Sequence, residues 1–130
     1  MPAPENISWS LDAKTDCGNA IIALIDAGAG AGKIRIFSDA DVLLAEPPLN
    51  IPAGNVNVIT GSVNLDPSSV AYFAVQSGAA TYAQVTDSDN NMIFELPAAE
   101  GTAAISGSIV INTLSIISGA KISVLSAVII

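Results

Sequence analysis

Ile21-Ile-Ala-Leu-Ile-Asp-Ala-Gly-Ala-Gly-Ala-Gly-Lys-Ile-Arg-Ile-Phe37 changes its period in the middle, and that change decides the fold class. Before the glycines, Cys17, Ile21, Leu24 and Ile25 fall on one face at helical spacing; after them, Ile34 and Ile36 alternate with Lys33, Arg35 and Phe37 at strand spacing. The pattern predicts a helix over about residues 12–27, N-capped by Asp12 and left through a left-handed Gly28. Gly18 and Asn19 weaken that helix by propensity, so its apolar face has to be held by packing against a sheet. The Gly-Ala-Gly-Ala-Gly run allows a tight turn or a close approach of two backbones.

From Lys33 onward the pattern is β. Strands are expected over 33–38, 42–46, 55–60 with a possible continuation to 65, 70–76, 80–87, 91–95, 104–111 and 120–128. Turn signals separate them at Ser38-Asp39, Pro47-Pro48, Asp66-Pro67, Ser77-Gly78, Asp89-Asn90, Pro97 with Gly101, and Ser118-Gly119. Many short punctuated strands point to a mainly-β fold, an antiparallel β-sandwich with the N-terminal α-helix packed on it. The Pro-rich stretches 47–52 and 97–101 read as surface loops. Residues 1–11, with Pro2, Pro4 and the only tryptophan, Trp9, read as an extended arm ahead of a single β-rich domain over 12–130. The chain closes on Val128, Ile129 and Ile130 with no charge to blunt an edge. That strand is expected inside the sheet or at a subunit contact, so truncation after Ala127 should lower solubility or assembly.

Composition narrows the function classes. Hydrophobic residues make up 51% of the chain and charged residues 12%, against roughly 25% charged in average domains. Such a shortage of charge predicts surface buried against other subunits, a homo-oligomer, the alternative being a compact monomer with a Ser/Thr/Asn/Gly-rich exterior. Net charge is −8, and the four basic residues, Lys14, Lys33, Arg35 and Lys121, are too scattered to track a phosphate backbone. No nucleic-acid partner is expected. Cys17 is the single cysteine, which rules out an intrachain disulfide; on the helix face it reads as a small core residue. The first residues show no signal-peptide pattern, and Asn112, Thr113, Ser115, Ser118 and Gly119 interrupt the apolar C-terminal third before it reaches membrane-spanning length. The expectation is cytoplasmic synthesis and no membrane partner.

Chemistry finds little support. The chain has no histidine, which removes the commonest general base and most zinc sites. The 28–33 run fails as a phosphate loop: Ala27 stands where the first glycine belongs, Ile34 replaces the metal-binding hydroxyl, and helix precedes strand. Asp87-Ser-Asp-Asn-Asn91 alternates oxygen ligands like a calcium loop but lacks the later glycine and glutamate, so a hairpin turn explains it better. Asp39 with Asp41, and Glu95 with Glu100, read as solvated loop charge. No catalytic, cofactor-binding or metal-binding residue is assigned, and an enzyme is not expected. Of the six aromatics, Phe37, Tyr72, Phe73, Tyr82 and Phe94 lie in strand patterns, leaving Trp9 as the one candidate for a sugar or partner contact.

Three stretches together resemble a known family. The joint 26–37, the strand and turn Ala80-Thr-Tyr-Ala-Gln-Val-Thr-Asp-Ser-Asp-Asn90, and the closing segment Ile111-Asn-Thr-Leu-Ser-Ile-Ile-Ser-Gly-Ala-Lys-Ile-Ser-Val124 are similar, in that order, to small tailed-phage virion proteins of the head decoration (cement) type. The chain departs from the family at 47–52, where a Gly-rich loop and a short strand are usual, and in the arm carrying Trp9. The resemblance implies a β-sandwich or β-tulip-like subunit on the capsid exterior, often a homotrimer, that bridges copies of the major capsid protein and stabilises the shell without any cofactor. Pro4, Trp9, Pro47, Pro48, Ile51, Val128, Ile129 and Ile130 are the interface residues expected on that reading. Alternatives are a tail or fibre-attachment subunit, which would form rings or sit peripherally, and a host- or glycan-binding module displayed on the virion.

Overall fold

In the computed structural model, residues 10–68, 72–103, 105 and 107–129 are described. The expected arm lies outside them apart from Ser10 and Leu11, and with it Pro4 and Trp9. Helix α1 spans Leu11–Ile25 and is capped by Ser10, whose hydroxyl accepts a hydrogen bond from the Ala13 N–H, not by Asp12, which sits in the first turn. The helix ends at Asp26, and Gly28 is not in the left-handed region.

The buried stripe of α1 is Gly18, Ile22 and Ile25, so it is rotated from the face expected around Cys17. Cys17 and Leu24 are exposed. Gly18 is the reason: a Cβ there would stand 2.7 Å from a methyl of Val56 and 2.7 Å from one of Val63, so only a residue without a side chain lets the helix lie this close to the sheet. The aspartate at the helix end ties it down, its Oδ2 accepting a hydrogen bond from the Ala53 N–H at 3.1 Å.

The strands are β1 (Lys33–Ser38), β2 (Leu43–Ala45), β3 (Leu49–Val56), β4 (Val63–Pro67), β5 (Tyr72–Phe73), β6 (Gly78–Thr86), β7 (Met92–Glu100), β8 (Ser108–Ile111), β9 (Ser115–Ile116), β10 (Lys121–Ile122) and β11 (Val124–Ile129). The main sheet runs β2-β1-β6-β7-β8-β11-β4-β3; β9 adds to the start of β6, and β5 pairs β10 separately. It is one curled, mixed sheet, a half-barrel, rather than two facing antiparallel layers. The β7–β8 pair is parallel, which makes the sheet mixed.

Both Pro-rich stretches belong to this sheet. Pro97 lies within β7 opposite Tyr82, and 49–52 opens β3. A continuous ribbon from Leu43 to Val56 pairs with β1 in its first half and with β4 in its second. Lys33 bridges Pro48, the Ile34 N–H donates to Pro47 O at 2.9 Å, and the Leu49 N–H donates to Gly32 O at 2.8 Å, so the ribbon ties the two ends of the curl. Prolines fit there because the backbone supplies carbonyls to β1 and needs few donors of its own. The cavity so formed is filled by Ile25, Ile34, Ile36, Leu44, Leu49, Val63, Val85, Ile109 and Ile111, all fully buried or nearly so. Each contributes about 1.5–3 kcal/mol of burial. The closing strand β11 lies between β8 and β4, which covers both of its edges.

Candidate functional site

The glycine joint and the Asp87–Asn91 turn, far apart in sequence, meet in space. Ser88 Oγ accepts a hydrogen bond from the Gly30 N–H at 3.3 Å, and a Cβ on Gly28 would collide with that hydroxyl. Lys33 Nζ donates to Asn90 Oδ1 at 3.0 Å. The turn closes on itself through Asp87: Oδ1 accepts from the N–H groups of Asp89 and Asn91, each at 2.9 Å, and Oδ2 accepts from Asn91 Nδ2 at 3.0 Å. Those bonds, the Asn91 side chain's first, hold the Asp87 carboxyl below the usual carboxylate range. Its oxygens are committed to the loop's own donors, which makes this a structural hairpin turn between β6 and β7. No group of three or more Cys, Asp or Glu side chains that could hold a metal ion occurs among the described residues.

The outer face of β2, β1, β6 and β7 is likewise occupied by its own partners. Phe37 and Tyr82, directly opposite across β1 and β6, stack with centroids 5.2 Å apart, and the Arg35 guanidinium lies 5.4 Å from the Phe37 ring centre. Arg35 pairs with Glu46 at 3.3 Å, Gln84 donates to Glu95 at 3.3 Å, and the Tyr82 hydroxyl donates to Asp41 at 2.6 Å. That last bond, with burial and the charges of Asp41 and Glu95 behind it, pushes the Tyr82 hydroxyl up to about 12. Glu100 accepts from the Leu114 N–H at 2.9 Å. Asp41, Glu95 and Glu100 thus each accept from a different structural donor, and Asp39 is exposed.

What remains open is apolar. Around β5 and the turn that leads into β10, Phe73, Val75 and Ile117 are all more exposed than buried. Ala74, between Phe73 and Val75, is buried in the core. The Ala74 N–H donates to Ala120 O and its carbonyl accepts from the Gly119 N–H, both at 2.9 Å, while the Ala120 N–H closes the turn on Ile117 O. Ser77 Oγ accepts from the Ser118 N–H at 2.8 Å. Three exposed apolar side chains thus stand on a backbone whose own groups are satisfied, with Lys121 opposite Phe73 as the nearest charge in register.

Of the expected interface residues, Ile51 is exposed at the start of β3, but Pro47 is buried and Pro48 half-buried in the ribbon. Val128 is half-buried and pairs with Ser108 and Asn64, and Ile129 pairs with Val63. Ile130, Pro4 and Trp9 lie outside the described residues. Phe73, Val75 and Ile117 went unassigned because an apolar residue in a strand pattern carries no mark of which side is covered. No helix among the described residues is long and apolar enough to cross a membrane. No family model matches the chain, and neither the curated proteins nor the solved structures contain a significant match to it.

Proposed function

We propose that this chain is a head decoration subunit of a tailed phage, a β-tulip-like protein that binds the capsid exterior as a trimer and bridges neighbouring copies of the major capsid protein. The observation that carries the reading is the exposure of Phe73, Val75 and Ile117 on two segments joined by backbone hydrogen bonds, in a chain with only 12% charged residues. The similarity of the joint, the Asp-Ser-Asp turn and the closing segment to the decoration family supports it, and the first two of these pack together as one unit. The mechanism is mechanical. A standard contact of about 800 Å² per partner, worth roughly 25 cal/mol for each apolar Å², opposes separation of adjacent capsomers, and many copies repeat it over a shell.

Co-sedimentation with undecorated phage heads tests the proposal. The purified chain should pellet with heads and saturate at a fixed ratio to capsid protein. Phe73→Asp with Ile117→Asp should weaken that binding on the order of tenfold or more while leaving the circular dichroism of the free chain unchanged. Absence of binding to heads, or full binding by the doubly charged variant, would count against it.

A further inference from the structure

Helix α1 is attached thinly. Of its 15 residues only Gly18, Ile22 and Ile25 are buried, and glycine has no side chain to bury, so two isoleucines, with half-buried Ile21 beside them, carry the apolar contact. Towards the N-terminus the contact is a lysine stem: a Cβ on Gly61 would lie 2.6 Å from the Lys14 Cβ. Gly61 belongs to the turn that joins β3 to β4 and carries the exposed Val58 and Ile59. Among the described residues, no hydrogen bond or ion pair joins 11–25 to the sheet. Gly18 and Asn19 also lower the helix's own propensity. The sheet, by contrast, is closed without the helix: the backbone bonds from Ile34 to Pro47 and from Leu49 to Gly32 tie the ribbon across the curl.

The polar tie lies just past the helix, at Asp26, and it is incomplete. Asp26 Oδ2 accepts from the Ala53 N–H at 3.1 Å, but Oδ1 is buried and accepts from no group, the one such side-chain oxygen or nitrogen among the described residues. Opening would give that oxygen water to accept from, so its burial weakens the closed state. Position acts in the same direction. Asp26 caps the C-terminus of α1, the negative pole of the helix, and the last turn has no basic residue to offset it, whereas Asp12 in the first turn stands at the favourable pole. Two residues further on the chain is fixed again, since the Gly30 N–H donates to Ser88 Oγ and a Cβ on Gly28 would collide with that hydroxyl. We infer that α1 is a latch: it opens as a unit about Asp26 and Ala27 while the sheet stays folded, and the Asp26 carboxylate is its release point. Opening uncovers Ile22, Ile25 and the methyls of Val56 and Val63 that Gly18 packs against, an apolar strip hidden in the closed molecule.

Native-state hydrogen exchange of the full chain in low urea tests this. The amides of residues 15–25 should share one protection factor, at least about tenfold below that of Ile34, Ile36, Ala83 and Val85, with a weaker urea dependence. Asp26→Asn keeps an acceptor for the Ala53 N–H and removes the charge, and should raise the shared value roughly threefold, while Asp12→Asn should lower it. The measurement on the unaltered chain stands whether or not either variant folds. A helix that exchanges with the same protection and urea dependence as the strands, or that frays in a graded way from its ends, would overturn the latch. Protection unchanged or lowered by Asp26→Asn would overturn the assignment of Asp26 as its release point.

Discussion

The 26–33 joint and the 57–62 turn flank the same helix and invert what their compositions suggest. The joint is almost all glycine and alanine, yet it is packed: a Cβ on Gly32 would run into Ile25 Cγ2 and stand 2.7 Å from Thr86 O, and Ser88 occupies the space beside Gly28. The turn carries two large β-branched side chains, yet both face outward. Glycine in the joint marks how closely backbones approach, and the hydrophobes in the turn stand on the surface. Glycine-rich sequence is here the packed part, and core-like sequence is the exposed part.

The contrast can be broken most severely at the joint. Gly32→Ala forces either Ile25 or the β6 backbone to move and should cost about 3 kcal/mol in urea unfolding, whereas an unpacked linker would gain slightly from the change. Gly18→Ala should cost about 1–2 kcal/mol, the crowding against Val56 and Val63 outweighing the gain in helix propensity. In the turn the lever is removal: Asn57→Ala, which strips the acceptor shared by Ile59 and Thr60, should cost about 1 kcal/mol and speed hydrogen exchange at those two amides.

Two pH measurements sharpen the picture of the bracing. Because folding lowers the Asp87 pKa, its contribution is complete above the ordinary carboxylate range and is lost as pH falls through the lowered value. Asp87→Asn should flatten that part of the acid limb of a melting-temperature profile. The smallest effect is at Tyr82. Its raised pKa means the Asp41 bond stabilises fully below about pH 10 and is lost as pH rises through about 12. Absorbance titration should show one late-ionising tyrosine, and Asp41→Asn should return it towards its ordinary value.

Much of the architecture was legible because it rests on periodicity. The helix-to-strand switch is where it was expected, β1 matches residue for residue, and the hairpin turn at Asp89-Asn90 is present. Three things were not legible. The helix's buried face was misplaced since Gly18 contributes no hydrophobicity to a pattern while allowing the closest contact. Pro47–Pro52 and Pro97–Gly101 were read as loops because proline usually interrupts sheets, although here the ribbon at 47–49 acts largely as acceptor and β7 carries Pro97 where its pairing with β6 ends. Val58 and Ile59 were drawn into a strand over 55–60, although Asn57 and the Thr60-Gly61-Ser62 run are turn chemistry that would have placed a reversal there. Of the expected interface residues, Ile51 is exposed, Pro47 is buried and Pro48 and Val128 are half-buried, while nothing in the sequence marks Phe73, Val75 and Ile117 as exposed, since exposure depends on which elements cover which.

The measurement that bears most directly on the account is cryo-electron microscopy of undecorated phage heads mixed with the purified chain. The account predicts extra density on the outer shell surface in groups of three at local threefold positions, with the Phe73, Val75 and Ile117 face turned towards capsid protein. Density confined to the tail or to a sixfold ring, or heads left bare at saturating protein, would contradict it.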